Sequence, residues 1–258
     1  MRPAYIGITG VTSKTELAAV TNILPTENKQ LVMVGVLASS RTIRGEPNKF
    51  PRRYPRPADL GSIFSDQTHR LNLVHFNTKE PHRLVNDLST TRDLAGPYCH
   101  GFQLNMAWPD CKALGTYKAR FPRDTLVLQC GGKALDEVGR DPLNLALRAK
   151  EYIGLVEYVL VDPSGGTGTE FDPRFAFHCV DCLNDELWRD NIGIVVAGGL
   201  HAGNLTTQLS RIMRQFKGVS IDAEGRLRNP ADDTLNIEYA QAYLLVAYEA
   251  YVRLQACI

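Results

Sequence analysis

Leu155-Val-Glu-Tyr-Val-Leu-Val-Asp-Pro-Ser-Gly-Gly-Thr-Gly-Thr-Glu-Phe-Asp172 is the stretch on which the reading of this chain turns. Its first half, through Val161, is short, apolar and rich in β-branched residues, the pattern of a strand buried on both faces. Asp162 ends the run. Gly165, Gly166 and Gly168 then open a loop whose backbone can approach a ligand closely. A carboxylate at a strand end beside such a loop is suited to chemistry. The unit repeats downstream: Ile192 to Val196 runs into Ala-Gly-Gly-Leu, and Gly218 to Ile221 runs into Asp-Ala-Glu-Gly-Arg.

Upstream, strands are expected at Ala4 to Thr9, Leu31 to Leu37, Leu71 to Asn77, Gly101 to Met106 and Thr125 to Cys130. The connections carry helix signals. Ser13-Lys-Thr-Glu16 has capping-box spacing, Trp108-Pro109-Asp110 starts a helix, and Asp141-Pro142 offers an N-cap with proline at the first position. A long final helix is expected over Ile237 to Leu254. Eight strands alternating with eight helices over 258 residues, with no Gly-x-Gly-x-x-Gly after the first strand, predict an α/β chain forming one (β/α)8 TIM barrel, a single domain from 1 to 258. An open Rossmann or flavodoxin-like sheet is the competing architecture.

A formal net charge of +1 supplies no global field for nucleic acid or a membrane surface. The N-terminus enters a strand within a few residues, without the apolar core of a signal peptide, so a cytoplasmic location is expected. The expected partners are one small anionic, phosphorylated molecule and at most a second copy of the chain as a homodimer. Six cysteines lack the spacing of a disulfide scaffold. The Cys179-x-x-Cys182 pair sits among apolar residues at helical spacing, with no second ligand pair, so helix packing is expected and neither metal nor cofactor. Residues 39–57 form the most basic stretch, with Arg41, Arg44, Lys49, Arg52, Arg53 and Arg56 against Glu46. It reads either as a solvated, proline-stiffened loop or as a cap that attracts an anionic substrate.

In such barrels the catalytic groups sit at the C-terminal strand ends, and phosphate is commonly held after strands seven and eight. Gly198 and Gly199 suit that task, although a tight strand exit alone would also require them. In the eighth loop Asp222 and Glu224 would repel phosphate, while Arg226 and Arg228 could offset them.

The segments Asp162 to Asp172, Ala197-Gly-Gly-Leu-His-Ala-Gly-Asn-Leu205 and Phe102-Gln-Leu-Asn105 resemble the strand-six, strand-seven and strand-four signatures of the phosphoribosylanthranilate isomerase family. Gly10-Val-Thr-Ser13 and Arg53-Tyr54-x-x-Pro57 resemble its first-loop and second-loop motifs. The resemblance implies a ribulose-phosphate-binding barrel and an Amadori rearrangement of an aminoaldose to an aminoketose, a step of tryptophan biosynthesis. An acid protonates the furanose ring oxygen, a base removes the C2 proton, and no cofactor takes part. Asp162 falls on the family's acid and Arg53 on the arginine that reads the substrate carboxylate. Gln103, Gly165, Gly166, Gly198, Gly199, Asp222 and Gly225 complete the expected substrate contacts. The family's base is a cysteine, whose place Thr9 takes here; a threonine hydroxyl does not titrate near neutrality, so His75, Asn105 or a bound water becomes the place to look for the base. Two alternatives stand beside the isomerase: a lyase or hydrolase that uses Asp162 with Asp222, and a catalytically silent ligand-binding barrel.

Overall fold

Period-two alternation sorts the side chains of eight parallel strands onto two faces, and the sheet they form closes on itself in chain order. The strands are β1 (Tyr5–Thr9), β2 (Leu31–Ser39), β3 (Arg70–Asn77), β4 (Gly101–Leu104), β5 (Thr125–Cys130), β6 (Tyr158–Val161), β7 (Gly193–Val196) and β8 (Ser220–Ala223). The computed structural model describes residues 2–25, 27–164, 172–216 and 218–256. Closure pairs the first strand with the last, setting Gly7 opposite Asp222. The (β/α)8 barrel is therefore the architecture, and the open-sheet alternative is excluded.

The connections hold ten α-helices among the described residues: α1 (Lys14–Thr21), α2 (Ser40–Ile43), α3 (Leu60–Ile63), α4 (Leu84–Ala95), α5 (Cys111–Arg120), α6 (Gly132–Glu137), α7 (Pro142–Ala149), α8 (Pro173–Leu187), α9 (Leu205–Gln215) and α10 (Ile237–Ala256). Their starts follow local chemistry. Asp110 caps α5 by accepting from the Ala113 amide at 2.8 Å, and Asp141 caps α7 by accepting from Asn144 at 2.8 Å, with Pro142 at the first position. Ser13 caps α1, but Glu16 reaches back to the amide and hydroxyl of Thr12 instead of closing the expected box on Ser13. The full capping box belongs to Ser39 and Thr42, where β2 turns into α2. Cys179 and Cys182 are free thiols on α8, Cys179 buried against its neighbours.

Outward residues such as Ile6, Val34, Phe76, Phe102, Leu128 and Val196 join the helices in one core. The inward parity fills the lower barrel with Tyr5, Met33, Leu73, Val127, Tyr158, Leu160 and Val195. One strand step higher the same parity turns polar, with Thr9, His75, Gln103, Gln129, Asp162 and Asp222 all buried. A barrel interior tolerates this only where each polar group finds a partner.

Several boundaries differ from the sequence reading. The eighth strand runs over Ser220–Ala223 instead of Gly218 to Ile221, because its outward face is Val219, Ile221 and Ala223 and its inward face is polar. Asp222 is thus a strand residue aimed into the barrel, not part of the loop. The fourth strand stops at Leu104, and α6 follows β5 directly after Gly131. The 39–57 segment is only partly loop, since β2 extends to Ser39, α2 follows, and Pro51–Arg53 form a 3-10 turn.

Gly101 has φ +136, and a Cβ there would lie 2.0 Å from the Thr125 carbonyl oxygen on β5. Gly101→Ala is therefore expected to cost on the order of 3 kcal/mol in urea unfolding. Gly115→Ala in α5, where the nearest atom would be 3.8 Å away, should instead gain about 0.5–1 kcal/mol by helix propensity.

Candidate functional site

A continuous hydrogen-bonded chain links the two inward carboxylates across the top of the barrel. Thr9 Oγ1, at the end of β1, donates to Asp222, 3.1 and 3.2 Å from its two oxygens. Gln103 Nε2 on β4 lies 3.1 Å from Asp222 Oδ2 and 3.2 Å from Gln129 Oε1 on β5. Gln129 Nε2 in turn donates to Asp162 Oδ2 at 3.4 Å, and the Ser164 hydroxyl and amide hold Asp162 Oδ1 at 2.6 and 3.1 Å. Thr9 therefore acts here as a donor to a buried carboxylate. Sequence reading did not single out Gln129. Its signal is a lone polar residue at inward parity in Leu126-Val-Leu-Gln-Cys130.

Burial pushes the Asp222 carboxyl from 3.8 up to about 7. Glu224 and Asp162 add to the push, while the hydrogen bonds from Gln103 and Thr9 oppose it. His75, inward on β3, is buried and held below its ordinary value chiefly by desolvation, with Arg228 also lowering it and Glu224 and Asp162 pulling the other way. Its imidazole is consequently neutral near pH 7. Neither ring nitrogen has a hydrogen-bond partner among the described residues, and the same holds for Gln103 Oε1. Glu224 is the nearest acid, 4.0 Å from Nδ1. Unpartnered groups at this depth are costly to leave so, and a bound ligand is one way to satisfy them.

Asp162 and the paired glycines face each other at one rim. A Cβ on Gly198 would lie 2.8 Å from Asp162 Oδ1, and Gly198 and Gly199 both take left-handed φ, +103 and +68. Asn204, just before α9, ties this turn by donating to the Gly199 carbonyl at 3.0 Å and accepting from the His201 amide at 2.9 Å. Gly225 opens a 3-10 turn after β8, and a side chain there would meet open space. Gly198, Gly199, Gly225, Asp162, Asp222, Gln103 and Gln129 line one recess together with His75 and Arg53. Asn105 is not among its lining residues. Gly165 and Gly166 lie outside the described residues.

Arg53 reaches the mouth of the recess but is already engaged. Its Nε and Nη2 form a fork to the Asp233 carboxylate at 2.7 Å each, and Nη1 bonds Glu224 at 3.1 Å. Arg228, packed over Gly10, donates to the Asp233 carbonyl at 3.0 Å. The other arginines of the basic stretch are also matched by acids: Arg41 and Arg44 meet Glu46, Arg44 also meets Glu80, Arg52 meets Asp232, and Arg56 meets Asp59, while Lys49 stands over the Phe50 ring. The segment is thus a strap fastened to the β8 loop, not an unpaired positive cap. With the strap in place the recess holds about 70 Å³, room for roughly two waters. Among the described residues no group of three or more His, Cys, Asp or Glu side chains could hold a metal ion.

The raised Asp222 value fixes the sign of a pH effect. The native state binds this proton more tightly than the unfolded chain, so the stabilising contribution is full below about pH 4 and is lost as pH rises through about 7. Asp222→Asn, which cannot ionise, is expected to gain over the unsubstituted protein between those limits, by at most on the order of 4 kcal/mol above pH 7. Urea unfolding of both proteins across that range measures the difference, and a pH-independent difference would contradict the assignment.

No protein-family model matches the chain, and no curated protein does. Solved structures share the fold at low identity. The phosphoribosyl anthranilate isomerase of Thermus thermophilus superimposes with a TM-score of 0.60 at 13% identity, covering 96% of this chain and 99% of that one. A phosphoribosyl anthranilate isomerase in complex with reduced 1-(o-carboxyphenylamino)-1-deoxyribulose 5-phosphate gives 0.60 at 14%, covering 95% and 99%. A rubisco-like protein from Burkholderia fungorum gives 0.51 at 15%, covering 99% of this chain and 65% of that one. At these identities the likeness establishes a barrel architecture shared by enzymes of different chemistry.

Proposed function

We propose that this chain is an isomerase-like enzyme that acts on a phosphorylated sugar derivative, by a rearrangement of the phosphoribosylanthranilate isomerase type. The observation that carries the reading is the single recess shared by Asp162, the unpartnered neutral His75 and the paired glycines after β7. The phosphorylated aminosugar in one structural neighbour supports the same substrate class. In this reading Asp162 protonates the ring oxygen, and His75 takes the C2 proton that the family's cysteine would take, its neutral form being the competent one. The phosphate end lies against Gly198, Gly199 and Gly225, where backbone can approach it closely. Gln103 supplies an acceptor for a sugar hydroxyl, and Thr9 holds Asp222 in place.

A phosphorylated aminosugar needs far more than the room under the closed strap, since ligand pockets generally run to ~300 Å³ or more. Binding in this reading lifts the strap and exchanges Asp233 for a substrate carboxylate at Arg53. The proposal includes a cytoplasmic location, no nucleic-acid partner and at most a homodimer; no helix among the described residues is long and apolar enough to cross a membrane.

A second reading is favoured by one observation, the elevation of Asp222 to about 7 opposite Asp162. Two inward carboxyl groups on one hydrogen-bonded chain, one of them held well above its ordinary value by burial, are the equipment of a hydrolase or lyase. Turnover of a chromogenic glycoside, lost in both Asp162→Asn and Asp222→Asn, would select it over the isomerase.

The isomerase reading is tested by rescue of a tryptophan auxotroph lacking phosphoribosylanthranilate isomerase, together with turnover by the purified protein. Rescue is expected, with kcat reduced at least about 100-fold in Asp162→Asn and in His75→Gln. No rescue and no turnover by the unsubstituted protein would remove this reaction. Asp233→Asn is expected to lower KM about fivefold, as freeing Arg53 from a half-exposed pair worth ~1 kcal/mol would do. An unchanged KM would show that Arg53 does not receive the substrate.

A further inference from the structure

The opposite mouth of the barrel holds a second and larger recess, of about 530 Å³, between the entrances to β3, β4 and β5 and the ends of α4 and α5. Its size falls within the range of small-molecule sites. Three guanidinium groups, Arg92, Arg120 and Arg123, face it against one carboxylate, Asp124. That carboxylate is paired within the protein: Oδ2 accepts from Arg92 Nε at 2.9 Å and from the Tyr117 hydroxyl at 2.6 Å. Arg92 spends its other arm on the Gly96 carbonyl at the end of α4, at 2.7 Å. Neither Arg120 nor Arg123 has an acidic partner within ion-pair distance among the described residues. Arg120 instead stands over the Phe121 ring, 5.1 Å from its centre.

His100 adds a donor of fixed orientation. Its Nδ1 accepts the Asn72 backbone amide at 2.9 Å, which leaves the proton of the neutral ring on Nε2. Burial lowers its basicity first and Arg92 next, against weaker opposite effects of Asp124 and Asp66, so the neutral form is the resident one. The recess thus offers two guanidinium groups without an acidic partner and a ring N–H, against one carboxylate that is already paired with Arg92. The carbonyl ends of α4 and α5 also favour cations here. That accounts for Arg92, which bonds such a carbonyl, and for Arg120, the last residue of α5, but not for Arg123, which lies beyond α5.

We propose that this recess is a binding site for a small, multiply charged oxyanion, a phosphorylated or polycarboxylate metabolite, distinct from the site at the other end of the barrel. Arg120 and Arg123 pair with the anion, Arg92 reinforces them from within its ion pair, and His100 donates one hydrogen bond. Phe121 supplies an apolar wall for the body of the ligand.

Histidine-ring NMR on the full chain reads this site separately from the other, because an anion bound beside His100 raises the pH at which that ring titrates. Pyrophosphate and citrate are titrated in turn, with sodium chloride at matched ionic strength as the control for screening. His100→Gln identifies the resonance. A saturable upward shift of the His100 midpoint with either probe is expected, with affinity reduced about tenfold or more in the exposed-site double variant Arg120→Ala/Arg123→Ala. A response to pyrophosphate alone identifies a phosphate site, and to citrate alone a carboxylate site. No shift with either at millimolar concentration, or an equal shift in the double variant, overturns the proposal and leaves Arg92 and Arg120 as partners of the helix ends and Arg123 as a solvated surface group. The outcome does not depend on turnover at the opposite mouth, so the two readings fail separately.

Discussion

A carboxylate held inside a closed barrel is the constraint on which the upper half of this molecule is built. Asp222 has almost no contact with solvent, and its charge is tolerated only through the donors that surround it, Thr9 from β1 and Gln103 from β4. Each of these must arrive at inward parity on its own strand. One-residue slips in register would exchange them for the apolar residues of the outer face. Gly7 belongs to the same arrangement, since a Cβ there would lie 2.7 Å from Asp222 Oδ1. The polar chain that continues through Gln129 to Asp162 makes the two carboxylates one electrostatic unit, so a proton or a cation at one end is felt at the other.

Around that unit the molecule closes itself with ion pairs rather than with apolar cover. The strap before Tyr54 and the turn after β8 meet through Arg53, Asp233, Glu224 and Arg228. Asp233 takes a left-handed backbone, φ +62, to present its carboxylate to Arg53. Strain of that kind is maintained by surrounding contacts, here the two-pronged salt bridge. An acid of the chain itself thereby stands where an anionic ligand would be read, which explains why so arginine-rich a segment has little unpaired charge.

The strand pattern, the Gly198-Gly199 turn and the caps at Ser13, Asp110 and Asp141 are legible in the sequence because each is a local signal. So is the meeting of Asp162 with Gly198, which follows from placing both at C-terminal strand ends. Partners that depend on closure are not. Thr9 and Asp222 are 213 positions apart and meet because β1 pairs with β8. Arg53 finds Asp233 180 positions away across the same seam, so its basic neighbourhood read as an open cap. The β8 boundary is hidden in the sequence because the inward face of a barrel strand near its mouth can be polar, as Ser220 and Asp222 are, so the strand runs past its apolar residues. Asp162 carried the chemical expectation, while the elevated carboxyl is Asp222, an outcome set by burial and by Glu224 that spacing does not reveal.

The most direct test of this account is a pH titration of side-chain carboxyl carbons by NMR in the unliganded protein, with Asp222→Asn to assign the resonance. The account requires the Asp222 carboxyl to titrate near 7, and to move when Gln103 is replaced by leucine. A carboxyl that titrates near 4 and ignores Gln103 would mean that Asp222 is solvated, and the buried polar chain would lose its organising member.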